Sequence, residues 1–307
     1  MRRHFLAIAD LSIEELRDLL DLAVELKAAW RAGEGGQPLH GRILAMLFEY
    51  PSLRTRVSFE VGMQQLGGHA MYIAPTEVML GKREPVADAA RVLSRYVDAI
   101  MLRTSGHERV TELAEHATVP VINGLSEAEH PCQALADLLT VREHRGALAG
   151  LRLAFVGDGN NVCNSLMLAA AKTGMRVAVA TPPAYRPAVQ YVEAARAAAA
   201  ATGGEVELFT DPREAVRAAD VIYAEVWISM GMERESAERR TAFAGFQVNE
   251  ALMELAGDAV VMHCLPAHRG EEISAEVLEG PDSIVWDQAE NRLHAQKAVL
   301  YELMRRR

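Results

Sequence analysis

Apolar and polar positions along the chain switch repeatedly between a helical and a strand-like period. Apolar residues recur every three or four positions over 12–32, which predicts a helix. Ser12 and Glu15 fit a capping box at its start. RILAMLF (42–48) is a continuous apolar run of the kind a buried parallel strand shows. The segment 53–66 then predicts a helix stopped by Gly67 and Gly68. HAMYIA (69–74), DAIMLR (98–103) and VPVING (119–124) read as further strands, with helical patterns over 86–96 and 109–116 between them. Strands alternating with helices in this way predict a mostly parallel sheet.

A long helical pattern over 131–146 ends in a small-residue break, GALAG (146–150). A second α/β series begins at LRLAFVGDGNN (151–161) and continues through the strand-like segments 176–183, 205–210, 220–226, 259–266 and SIVWD (283–287). The alanine run 197–201 reads as helix, and so does the last segment, 290–304. The fold class is therefore α/β, as two domains, each a mostly parallel sheet flanked by helices. We place the first at 1–146, completed by the C-terminal helix at about 290–307, and the second at 147–289.

Length and charge narrow the picture. A chain of 307 residues exceeds what one hydrophobic core usually serves. A net charge of −10 argues against binding nucleic acid or an anionic membrane non-specifically. No apolar run is long enough to cross a bilayer, and the N-terminal run is too short for a signal peptide. Three cysteines suit a reducing cytoplasm and form no disulfide framework.

In open parallel sheets ligands bind beyond the carboxyl ends of the strands. FEYPSLRTR, MLRTSGH, NGLSEAEHPCQ, VGDGNN, AEVWISMG and HCLPAHRG all stand at such ends. The first is unusual for an acidic chain, because it gathers arginines and hydroxyls at a strand–turn–helix junction. Ser52 is placed to cap that helix, whose N-terminal amides and dipole favour an anion. Thr55 adds a hydroxyl, and Arg54 and Arg56 add planar forks suited to phosphate or carboxylate. The alternative is a capped helix with surface arginines, and Arg56 has a structural reading, pairing with a carboxylate to hold the loop. His130 reads equally well as a satisfied strand-end histidine, and Cys264 as a buried strand cysteine.

Ser52-Leu-Arg-Thr-Arg56 resembles the carbamoyl-phosphate loop of the transcarbamylases. His130-Pro-Cys-Gln133 is similar to the same family's second signature. His263-Cys-Leu-Pro-Ala-His-Arg-Gly270 and Ser229-Met-Gly231 resemble its ornithine branch, and Gly157-Asp-Gly-Asn-Asn161 and Glu290-Asn-Arg292 also fit. The motifs run in the family's order over nearly the whole chain. The resemblance implies carbamoyl transfer from carbamoyl phosphate to the δ-amine of L-ornithine. It assigns Ser52, Leu53, Arg54 and Thr55 to the phosphate, with Arg103, His130 and Gln133 at the carbamoyl end. Cys264 and Leu265 would lie near the reacting amine and the carbamoyl group, and Arg292 would return to the carbamoyl-phosphate side. Arg103, His130, Cys264 and Arg292 are thus the expected catalytic set. Asn161, Glu225, Ser229 and Met230 would bind ornithine. The resemblance further implies no cofactor, no catalytic metal, and a homotrimer or a multiple of trimers.

Three positions depart from the pattern. Leu53 stands where threonine is common, Glu225 where the ornithine branch has aspartate, and Met79 near where a neighbouring subunit often supplies glutamine or histidine. Transfer to another amine, putrescine or an N-acylornithine, is the alternative within the family. Across classes the rivals are a non-catalytic binding protein and a nicotinamide-dependent dehydrogenase. FVGDGNNV follows a strand and opens a helix, as a dinucleotide fingerprint would. Its third glycine position holds Val162, however, and the next strand ends at Ala180-Thr181 without an acid for the ribose. The clusters His130/Cys132 and His263/Cys264/His268 lack the paired spacing of a zinc site.

Overall fold

The structure is a computed structural model that describes residues 4–305 apart from Met230. The chain forms two compact units, Met1–Leu139 with Glu290–Arg307, and Thr140–Ala289. The first division falls inside the helix Pro131–Arg145, ahead of the break at 146–150.

The first unit holds a four-stranded sheet. Its strands are β1 (Ile43–Phe48), β2 (His69–Ile73), β3 (Ala99–Arg103) and β4 (Val121–Leu125), in the order β2-β1-β3-β4. All pairings are parallel. β1 and β3 lie in the middle and are buried almost throughout, which is why their sequences are unbroken apolar runs. β2 is an edge strand and its side chains are half-buried or exposed. Leu47, Ile100, Leu102 and Val121 pack with Val110 and Leu113 of the helix His107–His116. Burying each such side chain contributes about 1.5–3 kcal/mol. The first helix, Ile13–Arg31, has its capping box: Ser12 Oγ accepts from Glu15 N at 3.0 Å, and the Glu15 carboxylate accepts from Ser12 N at 2.9 Å.

The second unit holds a five-stranded parallel sheet. Its strands are β5 (Arg152–Val156), β6 (Arg176–Ala180), β7 (Glu205–Phe209), β8 (Val221–Ala224) and β9 (Val260–Met262), in the order β7-β6-β5-β8-β9. The alanine run lies in the helix Val189–Thr202.

SIVWD is not a strand. Ser283 makes one isolated bridge to Val261, and a helix runs from Val285 to Met304, so the C-terminal helix begins before 290. A short apolar run does not by itself distinguish strand from helix. Here Val285 is buried while Trp286 is 55% exposed, so one face of a helix takes the apolar residues.

Both sheets reverse their strand order at one place. In the first unit the chain moves from β1 outward to β2 and then back to β3 on the other side. In the second it moves from β5 outward through β6 and β7 and then back to β8. The loops leaving β1 and β3, and those leaving β5 and β8, therefore splay apart and leave room for a ligand. The last residues in register are Phe48 opposite Arg103, and Val156 opposite Ala224. Four of the motifs read from the sequence stand at these positions, while NGLSEAEHPCQ leaves the end of β4 and HCLPAHRG the end of β9.

Candidate active site

In the first unit Ser52 caps the helix Leu53–Gln65 from an extended backbone conformation, and its Oγ accepts from Thr55 N at 3.3 Å. Thr55 is fully buried, and its hydroxyl is the point on which the loop converges. Ser52 Oγ lies 3.1 Å from Thr55 Oγ1, Arg103 Nη1 donates to it at 3.3 Å and Arg292 Nη2 at 3.4 Å. Arg103 arrives at the end of β3, and Arg292 from the C-terminal helix. Arg292 Nη1 also donates to Gln133 Oε1 at 2.6 Å, while Gln133 Nε2 donates to Asp137 Oδ1 at 2.8 Å. Gln133 is thus held by both ends, with its oxygen on the arginine side.

His130 is buried beside this cluster. Burial, and then the charges of Arg292, Arg103 and Arg54, hold its imidazole well below the usual histidine range. It is a neutral ring, able to donate one hydrogen bond without carrying a charge. Ser52, Arg54, Thr55, Arg103, His130, Gln133 and Arg292 therefore belong to one positively charged cradle at the end of the first sheet. Leu53 is 76% exposed.

Arg56 turns elsewhere. Its Nε pairs with Glu60 at 3.2 Å and its guanidinium lies over the Tyr72 ring at 3.9 Å. Cys132 is also structural: it is buried, its thiol donates to the Asn123 carbonyl at 3.6 Å, and burial pushes its pKa up to about 12. Glu49, part of FEYPSLRTR but given no role in the sequence reading, accepts from Arg109 Nη1 at 2.7 Å and from Thr104 Oγ1 at 2.5 Å. It ties the loop after β1 to the segment after β3. Met79 is exposed, with a left-handed φ of 36°.

In the second unit the helix Asn161–Lys172 is capped by Asn160, whose Oδ1 accepts from Val162 N and Cys163 N. That frees its amide nitrogen to donate to Glu225 Oε1 at 3.1 Å and to Ser229 Oγ at 3.4 Å. Cys264 Sγ donates to Glu225 Oε2 at 3.5 Å. Glu225 is fully buried, and burial pushes its carboxyl up to about 8, against the hydrogen bonds from Asn160 and Cys264. Asn161, expected to bind ornithine, stands next in the chain, and its Oδ1 accepts from Val162 N at 2.9 Å. Asn160 is the residue that links the parts. The signal for it was the N-cap position itself, which the first asparagine of the pair occupies. Met230 lies outside the described residues. Leu265, between Cys264 and Pro266, has a left-handed φ of 57° and is half-buried.

The glycines of VGDGNN serve close packing. A Cβ on Gly157 would lie 2.6 Å from the Glu225 carbonyl oxygen, and one on Gly159 would lie 2.3 Å from Pro187 N. A further pair went unseen in the sequence. Arg239 Nη1 donates to Asp158 Oδ2 at 2.8 Å and to the Trp227 carbonyl at 3.0 Å, both buried. This fixes the loop after β5 to the start of the Ser229 loop. Among the described residues no cluster of three or more His, Cys, Asp or Glu side chains is arranged to hold a metal. None of the described helices is long and apolar enough to cross a membrane.

Comparison with known proteins adds two kinds of likeness. Residues 3–143 match the model of the aspartate/ornithine carbamoyltransferase carbamoyl-P binding domain, and residues 149–303 match that of the Asp/Orn binding domain. Ornithine carbamoyltransferase from Methanoculleus marisnigri is 56% identical over 305 residues, covering 99% of this chain and 97% of its own length. That from Anoxybacillus flavithermus is 56% identical over 303 residues, covering 98% and 96%. Among solved structures, ornithine carbamoyltransferase from Pyrococcus furiosus is similar at a TM-score of 0.96 and 53% identity, over 98% of this chain and 96% of that one.

Proposed function

The chain belongs to the aspartate/ornithine carbamoyltransferase family, and we propose that it transfers the carbamoyl group of carbamoyl phosphate to the δ-amine of L-ornithine, giving L-citrulline and phosphate. The observation that carries this reading is the convergence of Arg103 and Arg292 on Thr55, beside the neutral His130 and the tethered Gln133. That arrangement suits a ligand with a phosphate at one end and a carboxamide at the other.

The phosphate takes the amides and dipole of the helix that Ser52 caps, together with the Thr55 hydroxyl and the guanidinium of Arg54. At the other end the carbamoyl oxygen accepts from Arg103 and His130. These donors are already fixed before the reaction, so they stabilise the negative charge that develops on that oxygen without reorganising. The Gln133 oxygen has a second lone pair beyond the one Arg292 uses, and it accepts from the carbamoyl NH2. Arg292 bridges the phosphate and carbamoyl ends.

Ornithine takes its place on the second unit. Glu225 holds the α-ammonium, Asn161, Ser229 and Met230 hold the amino-acid end, and Cys264 and Leu265 face the δ-amine. The neutral δ-nitrogen attacks the carbamoyl carbon, a C–N bond forms and the C–O bond to phosphate breaks. The amine's proton leaves on the departing phosphate, so no protein base has to take it. Carbamoyl phosphate arrives activated, and positioning and charge stabilisation supply the catalysis. No cofactor or metal takes part in this reading.

The same reading makes the protein a cytoplasmic enzyme of arginine biosynthesis and a homotrimer or a multiple of trimers. Leu53 and Val57, four residues apart on one helix, expose apolar side chains in a way that suits burial against another copy. The test is purified protein with carbamoyl phosphate and a panel of ornithine, N-acetylornithine, putrescine, lysine and aspartate. Citrulline from ornithine is expected. Absence of a ureido product with every amine would overturn the enzyme reading, and product from putrescine alone would overturn the substrate.

A further inference from the structure

We propose that Glu272 is a positioning residue for the reaction, holding the segment 263–268 so that Cys264 and Leu265 keep their places; this rests on the ornithine-side roles given to those two residues. Glu272 is 1% exposed. A carboxylate removed from water this far persists only where donors compensate it. It finds them on both sides of the Cys264 segment. His263 Nε2 lies 3.0 Å from Oε1, and His268 N donates to the same oxygen at 2.6 Å. The His268 ring nitrogen Nδ1 lies 3.5 Å from Oε2. Burial pushes the Glu272 carboxyl up, but the hydrogen bonds from His263 and the His268 amide outweigh it and hold it below the usual range.

The bond to His263 decides more than an orientation. Leu265 N–H donates to His263 Nδ1 at 2.8 Å, so that nitrogen carries no proton. The imidazole proton is therefore on Nε2, where Glu272 accepts it. In the other tautomer an N–H at Nδ1 would face the Leu265 N–H. Glu272 thus keeps the ring in the one form that can hold the Leu265 amide. That amide belongs to a leucine with φ 57°, a conformation that persists in a non-glycine residue only when its surroundings impose it. From the other side, the His263 backbone N–H donates to Gln288 Oε1 at 2.8 Å, and Gln288 Nε2 donates to Tyr223 Oη at 3.2 Å. The ring cannot follow the segment if the carboxylate is lost, because its own backbone is pinned.

The test compares Glu272→Gln with Glu272→Asp in the full-length protein. Both observed short contacts fall on one oxygen, so glutamine retains an acceptor where it is needed. Aspartate retains the charge but is one methylene shorter and cannot meet both donors. Expected for Glu272→Gln is a kcat within about threefold of the parent and an unchanged His263 tautomer. Expected for Glu272→Asp is a kcat lower by about tenfold to a hundredfold, the size of effect that misplacing a reacting group by about 1 Å produces. The KM for carbamoyl phosphate should stay the same. The 15N shifts of the His263 ring should show an unprotonated Nδ1 in the parent and in the glutamine variant, and a mixture of tautomers in the aspartate variant. The opposite order of the two variants, or a fall in kcat without a tautomer change, would overturn the proposal. The nitrogen shifts test Glu272 even if no amine in the panel is carbamoylated, so this inference and the proposed reaction can fail separately.

Discussion

The Asn160 amide nitrogen donates to the Glu225 carboxylate at 3.1 Å, and Cys264 meets the other oxygen of the same group at 3.5 Å. One buried acid thus joins the loop after β5, the end of β8 and the segment after β9. Its carboxyl is held up to about 8 by burial, with Asp158 and Glu272 adding to the rise, so without a ligand it carries a proton near neutral pH.

A bound ammonium favours the ionised form. Ornithine binding at about pH 7 should therefore release a proton from Glu225, and apparent affinity should rise as pH rises towards 8, by up to about tenfold per pH unit. An ornithine analogue lacking the δ-amine isolates this effect from ionisation of the nucleophile. Calorimetry in buffers of different ionisation enthalpy reads the proton directly, and Glu225→Gln should abolish it. In the free protein the group costs stability as pH rises from 4.5 through 8, because the unfolded carboxyl ionises first. Glu225→Gln should accordingly raise Tm at about pH 8 and leave it nearly unchanged at about pH 4. Proton release that persists in the variant would assign it elsewhere.

His130 supplies the opposite pH dependence. Its folded pKa lies well below 6.5, so the unfolded chain takes up the proton first as pH falls. The neutral ring contributes its stability above about 6.5, and that contribution is lost as pH drops below it. His130→Gln should flatten the decline of Tm on the acid side. It should also lower kcat by about a hundredfold to a thousandfold, the usual effect of deleting one donor to a developing oxyanion. An unchanged kcat would remove His130 from the carbamoyl end.

Arg54 and Arg56 differ by two positions and should differ greatly in effect. The charge of Arg54 reaches His130, whereas Arg56 sits on Glu60 and Tyr72. An exposed pair of this kind contributes about 0.3–0.5 kcal/mol. Arg56→Gln should leave the KM for carbamoyl phosphate within about twofold, and Arg54→Gln should weaken phosphate binding by about 1.5–3 kcal/mol, the usual worth of a hydrogen bond to a charged group. Steady-state kinetics on both variants checks the contrast, and equal losses would contradict it.

Gly157→Ala should destabilise the second unit and disturb Glu225 together. Its φ of 148° suits glycine, and the new methyl would lie 2.6 Å from the Glu225 carbonyl oxygen. The expected cost is about 1–3 kcal/mol, seen as a lower Tm, with a raised KM for ornithine and an unchanged KM for carbamoyl phosphate. A variant as stable as the parent would show that the loop has room to move.

Much of the molecule was legible in the residues. Continuous apolar runs marked β1, β3, β5 and β8, because strands covered on both faces admit no polar alternation. Strand–turn–helix punctuation marked the loops that bind. SIVWD misled because a run of three apolar residues is too short to reveal its period. Asn160 and Asn161 are chemically identical neighbours, and only the turn of backbone at the helix start decides which one faces Glu225. The same holds for Arg54 and Arg56.

By itself the amino-acid sequence determined the α/β alternation, the anion-binding chemistry after β1 and the order of the motifs that mark the family. These depend on local periodicity and on residue type, which a chain carries before it folds. The tertiary structure decided which strands became neighbours and where each sheet reverses. It also decided which side chains 50 to 250 positions apart meet, as Arg292 does with Thr55 and Glu225 with Asn160. It alone set the protonation of His130 and Glu225, because both follow from burial and from charges brought close by folding.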